Sequence, residues 1–130
     1  MLFTTEQLKT IENYNEEKRL NYLLQQVVSN KEIWILADEH GCVMLNSEEE
    51  DCVPVWPNEA FAQRWATDEW QHCKAEAIPL SKWYSHWSTG LTDDELALVT
   101  FPSQENQGFI LFPDEFEAAL VKETKKQHRK

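Results

Sequence analysis

The chain has 130 residues, with 12 Lys and Arg against 23 Asp and Glu, and its formal net charge is −11. Such acidity argues against a nucleic-acid backbone or an anionic membrane as a partner. The apolar runs are shorter than the roughly 18 residues of a membrane span, and the first residues lack the basic and apolar regions of a signal peptide. The 3 cysteines do not suggest a disulfide framework, so a cytoplasmic, reducing location is expected.

Length and composition predict one packed domain over residues 1–130. Typical domains have about 100–150 residues, and hydrophobic residues make up 42% of this chain, enough for a core. The two ends, residues 1–14 and 123–130, are expected to fray.

Helix signals come first along the chain. Thr4 and Gln7 have the spacing of a capping box, which predicts a short initial helix. Asn15 is the predicted cap of a second helix over 16–29, where apolar residues recur at helical spacing. That stripe consists of Leu20, Leu23, Leu24, Val27 and Val28.

From Ile33 the apolar period changes to two, which predicts an antiparallel meander of strands 33–37, 42–46 and 52–56. Symmetrical turns place Leu36 opposite Val43, and Leu45 between Trp34 and Val53. One face of the meander is then apolar, formed by Trp34, Leu36, Val43, Leu45, Val53 and Val55.

A strand–Pro–helix unit then recurs, at 55–62, at 111–118 and more loosely at 77–83. It predicts helices 58–70, 81–88 and 114–124, while strands 96–101 and 108–112 complete the sheet. The predicted fold class is α+β, with an N-terminal helix, a three-strand meander and the repeated units on one mixed sheet.

These motifs resemble a bacterial family known as domain of unknown function 2750, over roughly residues 15–122. The resemblance is carried by Trp34-Ile35-Leu36, Gly41, Val55-Trp56-Pro57, Phe61-Ala62, Phe101-Pro102, Gly108-Phe109 and Pro113-Asp114-Glu115-Phe116. It implies a bacterial origin and a compact fold. The family has no assigned activity, so the resemblance implies no functional residue.

Acidity is concentrated between residues 33 and 70, where nine acidic residues face one basic residue. Its densest part is the loop Glu48, Glu49, Glu50 and Asp51, which we interpret as a candidate binding surface for a basic protein. Trp56 follows nearby, either as an anchor for that partner or as a core residue beneath one of the repeated helices. The alternative is that the acidity serves solubility alone.

Histidines and cysteines do not suggest a metal site in the sequence. The set is His40, Cys42, Cys52, His72 and Cys73. It contains no Cys-x-x-Cys pair, and the meander separates Cys42 from Cys52 by about 13 Å. We therefore expect no metal, no disulfide and no cofactor, with Cys42 and Cys52 as small buried hydrophobes and Cys73 as an exposed thiol.

Catalytic motifs are also missing from the sequence. The 3 glycines form no phosphate-binding loop, and no serine lies in a Gly-x-Ser-x-Gly elbow. The prediction is therefore not an enzyme but a non-catalytic interaction or regulatory module with a basic protein as candidate partner. The alternatives are an immunity-type inhibitor of a basic toxin, and a small-molecule sensor or minor enzyme.

Overall fold

Two N-terminal helices follow the caps that the sequence predicts. The computed structural model describes residues 4–39, 41–46, 51–67, 70–103 and 108–128, with Cys42 and Asn46 described by their backbone alone. Helix α1 (Thr5–Glu12) begins with the Thr4–Gln7 capping box. Helix α2 (Glu16–Asn30) begins where the N–H of Lys18 donates to Asn15 Oδ1 at 2.8 Å. The predicted helix 16–29 is therefore confirmed, and its apolar stripe is buried from Leu23 to Val28.

Helices lie in both terminal regions of the described residues, and the fraying that the sequence predicts there stays a prediction. Leu8 and Ile11 of α1 are buried against the core. At the other end, helix α6 (Pro113–Gln127) continues three residues past the predicted end at 124. The side-chain amide of Gln127 donates to the backbone carbonyl of Gln25 at 3.2 Å, which holds the last turn of α6 against α2.

The first sheet has the order β2-β1-β5. Strand β1 (Glu32–Asp38) pairs antiparallel with β2 (Gly41–Cys42) and with β5 (Lys74–Pro79). The Leu36–Val43 register is confirmed, because the N–H of Val43 donates to the carbonyl of Leu36 at 2.8 Å. Strand β5 is absent from the predicted sheet, since alternating Lys, Ala and Glu have low strand propensity.

The second sheet has the order β3-β4-β6-β7. It contains β3 (Leu45–Asn46), β4 (Asp51–Val55), β6 (Ala97–Thr100) and β7 (Phe109–Leu111). Strands β4 and β6 are parallel, and the other two pairings are antiparallel.

The prediction of one mixed sheet is wrong, because the chain changes sheets in the middle of the predicted meander. Val43 and Met44 separate β2 from β3, so Leu45 pairs with Cys52 rather than with Val53. Trp34 pairs with Trp56 instead of Leu45, and this isolated antiparallel bridge links the two sheets. A shift of one residue in register exchanges the two faces of a strand.

Helices cover the sheets in the second half of the chain. Helix α3 (Glu59–Trp65) is shorter than the predicted 58–70, and its cap is Asn58, whose side chain accepts from the N–H of Phe61. The predicted helix 81–88 extends over residues 80–93, in three consecutive segments. These are α4 (Leu80–Lys82), a π-helical turn (Trp83–Trp87) and α5 (Ser88–Asp93).

One connected core joins both sheets and the helices, so the chain is a single α+β domain. The largest fully buried side chains are Trp56, Trp83, Phe61, Phe101 and Phe116. A smaller cluster of Cys52, Ala97 and Val99 covers the other face of the second sheet. Within the described residues, none of the helices combines the length and the apolar character needed to cross a bilayer.

Candidate functional site

The structure divides the binding surface that the sequence predicts. Glu48, Glu49 and Glu50 lie outside the described residues. Asp51 is exposed at the start of β4. Trp56 lies one residue beyond the end of the same strand and is fully buried, at 0% exposure. The four carboxylates therefore stay a prediction, whereas Trp56 does not reach the surface.

Trp56 is a core residue, which was the alternative left open by the sequence. Its indole Nε1–H donates to the carbonyl of Pro102 at 2.9 Å. Its ring lies 5.4 Å, centroid to centroid, from the ring of Trp65 on α3. The hypothesis of a surface anchor at Trp56 is thus wrong, because the chain covers both faces of the strand that leads to it.

A different apolar surface is exposed at the far end of the second sheet. We call the residues Phe109 to Phe112 the β7 edge. Exposure is 39% for Phe109, 50% for Ile110 and 46% for Phe112. Successive residues of a strand point to opposite faces of the sheet. Exposure of both Phe109 and Ile110 therefore means that neither face of β7 is fully covered.

The backbone of β7 has a neighbour on one side. Among the described strands it pairs with β6, from Thr100–Phe109 to Leu98–Leu111. The first of these pairs is reinforced by the Thr100 hydroxyl, which donates to the carbonyl of Phe109 at 2.8 Å. The opposite side of such an edge strand can accept a further strand through main-chain hydrogen bonds.

Gly108 sets the approach of β7 to β6. Its φ of +84° lies in the left-handed region, and a Cβ there would lie 2.7 Å from the carbonyl oxygen of Thr100. A residue with a side chain would therefore push the β7 edge away from its partner strand. This glycine is one of the residues that carry the family resemblance, and its position shows why a glycine is required.

Helix α6 continues this surface, because it begins directly after Phe112. Its outer face carries a shallow depression of about 470 Å³, lined by Asp114, Glu117, Ala118, Val121, Lys122 and Lys125. Among these residues Val121 is an exposed apolar side chain. Acidic residues lie in the first turn of α6 and basic residues in the last, as the helix dipole favours.

A separate cluster of polar side chains lies at one end of the first sheet and consists of Asp38, His72 and Cys73. The oxygen Oδ2 of Asp38 lies 3.3 Å from His72 Nε2, and Cys73 Sγ lies 3.8 Å from the same nitrogen. Cys73 is 2% exposed, so the prediction of an exposed thiol is wrong. Burial, and then the nearby Asp38 carboxylate, raises the pKa of the Cys73 thiol.

Sequence reasoning considered His72 and Cys73 but missed Asp38, which lies 34 residues earlier. The pairing of β1 with β5 brings them together, and β5 was absent from the predicted sheet. Cys52, by contrast, is buried as expected for a small hydrophobe. A shallow cavity of about 600 Å³ opens beside the cluster, with Lys74 and Glu76 in its wall.

The profile of the family described as "Protein of unknown function (DUF2750)" matches residues 20–120, so the chain belongs to this family. This confirms the resemblance that the sequence motifs indicate. A search of the curated proteins finds no match for the chain.

Proposed function

We propose that this member of the DUF2750 family is a non-catalytic protein-interaction module, which binds an extended, basic segment of a partner protein along β7. The observation that carries the proposal is the exposure of Phe109, Ile110 and Phe112 around an edge strand. A partner that covers apolar surface removes it from water, which favours the complex by about 25 cal/mol for each Å² of apolar area before the costs of association.

The composition of the β7 edge favours strand addition. Natural edge strands are commonly protected from pairing by charged residues or proline. The sequence from Phe109 to Phe112 contains neither. In strand addition, main-chain hydrogen bonds provide affinity, and alternate side chains of the ligand contact the apolar residues on each face.

Charge favours a basic partner over a second copy of the chain. Two copies, each with a formal charge of −11, repel one another during encounter. Asp114 and Glu115 lie next to the β7 edge, in the first turn of α6. A basic segment gains attraction from the whole acidic domain, and salt weakens this attraction.

A photo-reactive amino acid at position 110, in the full chain in its native host cells, tests the proposal. Met44 is the matched control, because it is 46% exposed and lies beside β3, at the opposite end of the second sheet. We expect a covalent adduct between position 110 and a basic protein, and little adduct from position 44. An adduct with a second copy, or equal yields at both positions, contradicts the proposal.

Binding of that purified partner is then compared between Ile110→Lys and Met44→Lys. A lysine at position 110 adds a positive charge that repels a basic ligand. The substitution also removes the apolar contact made by Ile110. We expect affinity at least about ten-fold weaker for Ile110→Lys, since central contacts contribute more than about 1.4 kcal/mol each. Met44→Lys should bind as the wild type does.

The alternatives lead to different outcomes of the same experiments. An immunity-type inhibitor is a special case, in which the basic partner is a toxin that loses its activity in the complex. A small-molecule sensor or minor enzyme would use the cavity beside Asp38 and His72, and its function would not depend on Ile110.

A further inference from the structure

We infer that Asp38, His72 and Cys73 form a binding site for a zinc ion. The inference is independent of the proposed function, because the β7 edge belongs to the other sheet. It also departs from the expectation drawn from the sequence, which weighed Cys42 and Cys52 as ligands and did not consider Asp38.

Spacing within the cluster matches tetrahedral zinc coordination. Zinc binds His nitrogen and Asp oxygen at about 2.0–2.2 Å and Cys sulfur at about 2.3 Å, which places the ligand atoms about 3.3–3.7 Å apart. Here Asp38 Oδ2 and Cys73 Sγ lie 3.3 Å and 3.8 Å from His72 Nε2. One ligand atom from each of the three residues lies within 4.8 Å of the other two. Small rotations of the side chains would therefore suffice for an ion to bind.

The convergence of both contacts on one atom suits a shared cation. Asp38 and Cys73 both approach the same imidazole nitrogen, Nε2 of His72. Without a metal, the single Nε2–H is shared between the carboxylate and the sulfur, and a shared hydrogen gives each acceptor only a weak hydrogen bond. One ion between the three atoms satisfies them all.

The same convergence argues against a nucleophilic triad. In such a triad the carboxylate orients the histidine through one ring nitrogen, and the other nitrogen activates the nucleophile. Here both partners lie at Nε2. Burial raises the pKa of the Cys73 thiol, whereas an activated cysteine has a lowered pKa.

The backbone holds two of the three residues firmly. Ala37 pairs with Lys74 across β1 and β5, so Asp38 and Cys73 are the next residues at that end of the ladder. The N–H of Cys73 also donates to the carbonyl of Trp70 at 2.9 Å. Ligands on neighbouring strand ends form a site with little rearrangement of the chain.

The site has one buried side and one open side. Cys73 is buried, whereas the His72 side chain is 58% exposed beside the cavity. Three protein ligands leave the fourth position of a tetrahedral zinc ion for water or another donor. On binding, the Cys73 thiol releases its proton to solvent and the sulfur bonds to the metal as thiolate.

Cobalt(II) is the probe for the first test, because its tetrahedral thiolate complexes absorb visible light. Metal-free full-length chain is titrated with Co²⁺ and then with Zn²⁺. We expect one equivalent of Co²⁺ to produce sulfur-to-metal charge-transfer and ligand-field bands, which Zn²⁺ then removes. Absence of these bands, with no binding of Zn²⁺ by calorimetry, would overturn the inference.

Three variants identify the ligands, namely Asp38→Asn, His72→Ala and Cys73→Ser. Each should weaken Zn²⁺ binding at least about ten-fold, since even residues that only orient a ligand contribute about 10–100-fold. His72→Ala keeps the test decisive if Cys73→Ser disturbs the fold, because the His72 side chain is largely exposed. The matched control is His86→Ala, an exposed histidine hydrogen-bonded to Ser85 in the π-helical turn. Unchanged affinity in His72→Ala, or equal loss in His86→Ala, would contradict the site.

Discussion

Strands β4 and β7 belong to the same sheet, yet the first is buried on both faces and the second is exposed on both. Cys52 to Val55 are all buried, whereas Phe109 and Ile110 are among the most exposed large apolar residues described. Strand β4 lies between β3 and β6, while β7 has β6 alone among the described strands. Position within the sheet, rather than hydrophobicity, therefore decides which apolar side chains are available to a partner.

Substitution of Trp56 should produce the largest effect, because it tests the buried side of this comparison. Loss of its ring leaves a cavity beside Trp65 and removes the hydrogen bond to the carbonyl of Pro102. We expect Trp56→Ala to lower the free energy of unfolding by about 3–5 kcal/mol. Ile110→Ala, on the exposed strand, should change it by less than about 0.5 kcal/mol. Equal losses in urea denaturation would contradict the contrast.

A pair of glycine substitutions examines the approach of β7 to β6. Gly108→Ala forces a methyl group against the carbonyl of Thr100 at a positive φ, and should destabilise the domain by about 1–3 kcal/mol. Gly90 in α5 is the control, because a Cβ there meets nothing within 4 Å. Gly90→Ala should stabilise the domain by about 0.5–1 kcal/mol, as alanine does in a helix. Thermal unfolding of both variants shows whether their effects have opposite signs.

The contact between Glu12 and Arg64 tests how firmly α1 is held. Arg64 donates from Nε and Nη2 to the two carboxylate oxygens of Glu12, at 3.1 Å and 2.8 Å, and so joins α1 to α3. The hydrogen bond to Glu12 raises the pKa of Arg64. We expect Glu12→Gln to lower stability by about 1 kcal/mol and to increase amide exchange in α1. Unchanged exchange would mean that the ion pair does not hold this helix.

Alkaline pH should weaken the buried aromatic region by a smaller amount. Burial, and then Tyr14, raises the pKa of Tyr22, whose ring contacts Phe61 and Phe101. Above about pH 10 the unfolded chain loses this phenolic proton before the folded chain does, so stability falls as pH rises. Tyr22→Phe should reduce that fall in unfolding experiments between about pH 9 and pH 11. An identical slope in the variant would contradict the assignment to Tyr22.

Local patterns predicted most helices but not the partners of the strands. The helical stripe of α2, the Asn58 cap of α3 and the proline at the start of α6 are signals within a few residues. Strand β5 depends instead on pairing with β1, about 40 residues away, and its own Ala, Glu and Lys residues favour no strand.

The candidate sites show the same limit. Trp56 was a reasonable interface candidate by residue type, but its burial results from α3 and Pro102, which the local pattern does not place. Phe109 and Ile110 were expected in a strand, yet their exposure depends on β7 being the last strand of its sheet. Asp38 joins His72 and Cys73 only through the β1–β5 register.

Amide hydrogen exchange, measured on the purified chain with and without the partner captured at position 110, shows whether that partner pairs with β7. Edge strands open at low free-energy cost, and a new strand protects their outward amides. We expect the partner to slow exchange in Phe109–Leu111, whereas the amides of Val53 and Val55 in β4 should change little because this strand is buried on both faces. Protection that appears elsewhere in the domain and leaves Phe109–Leu111 unchanged would contradict it.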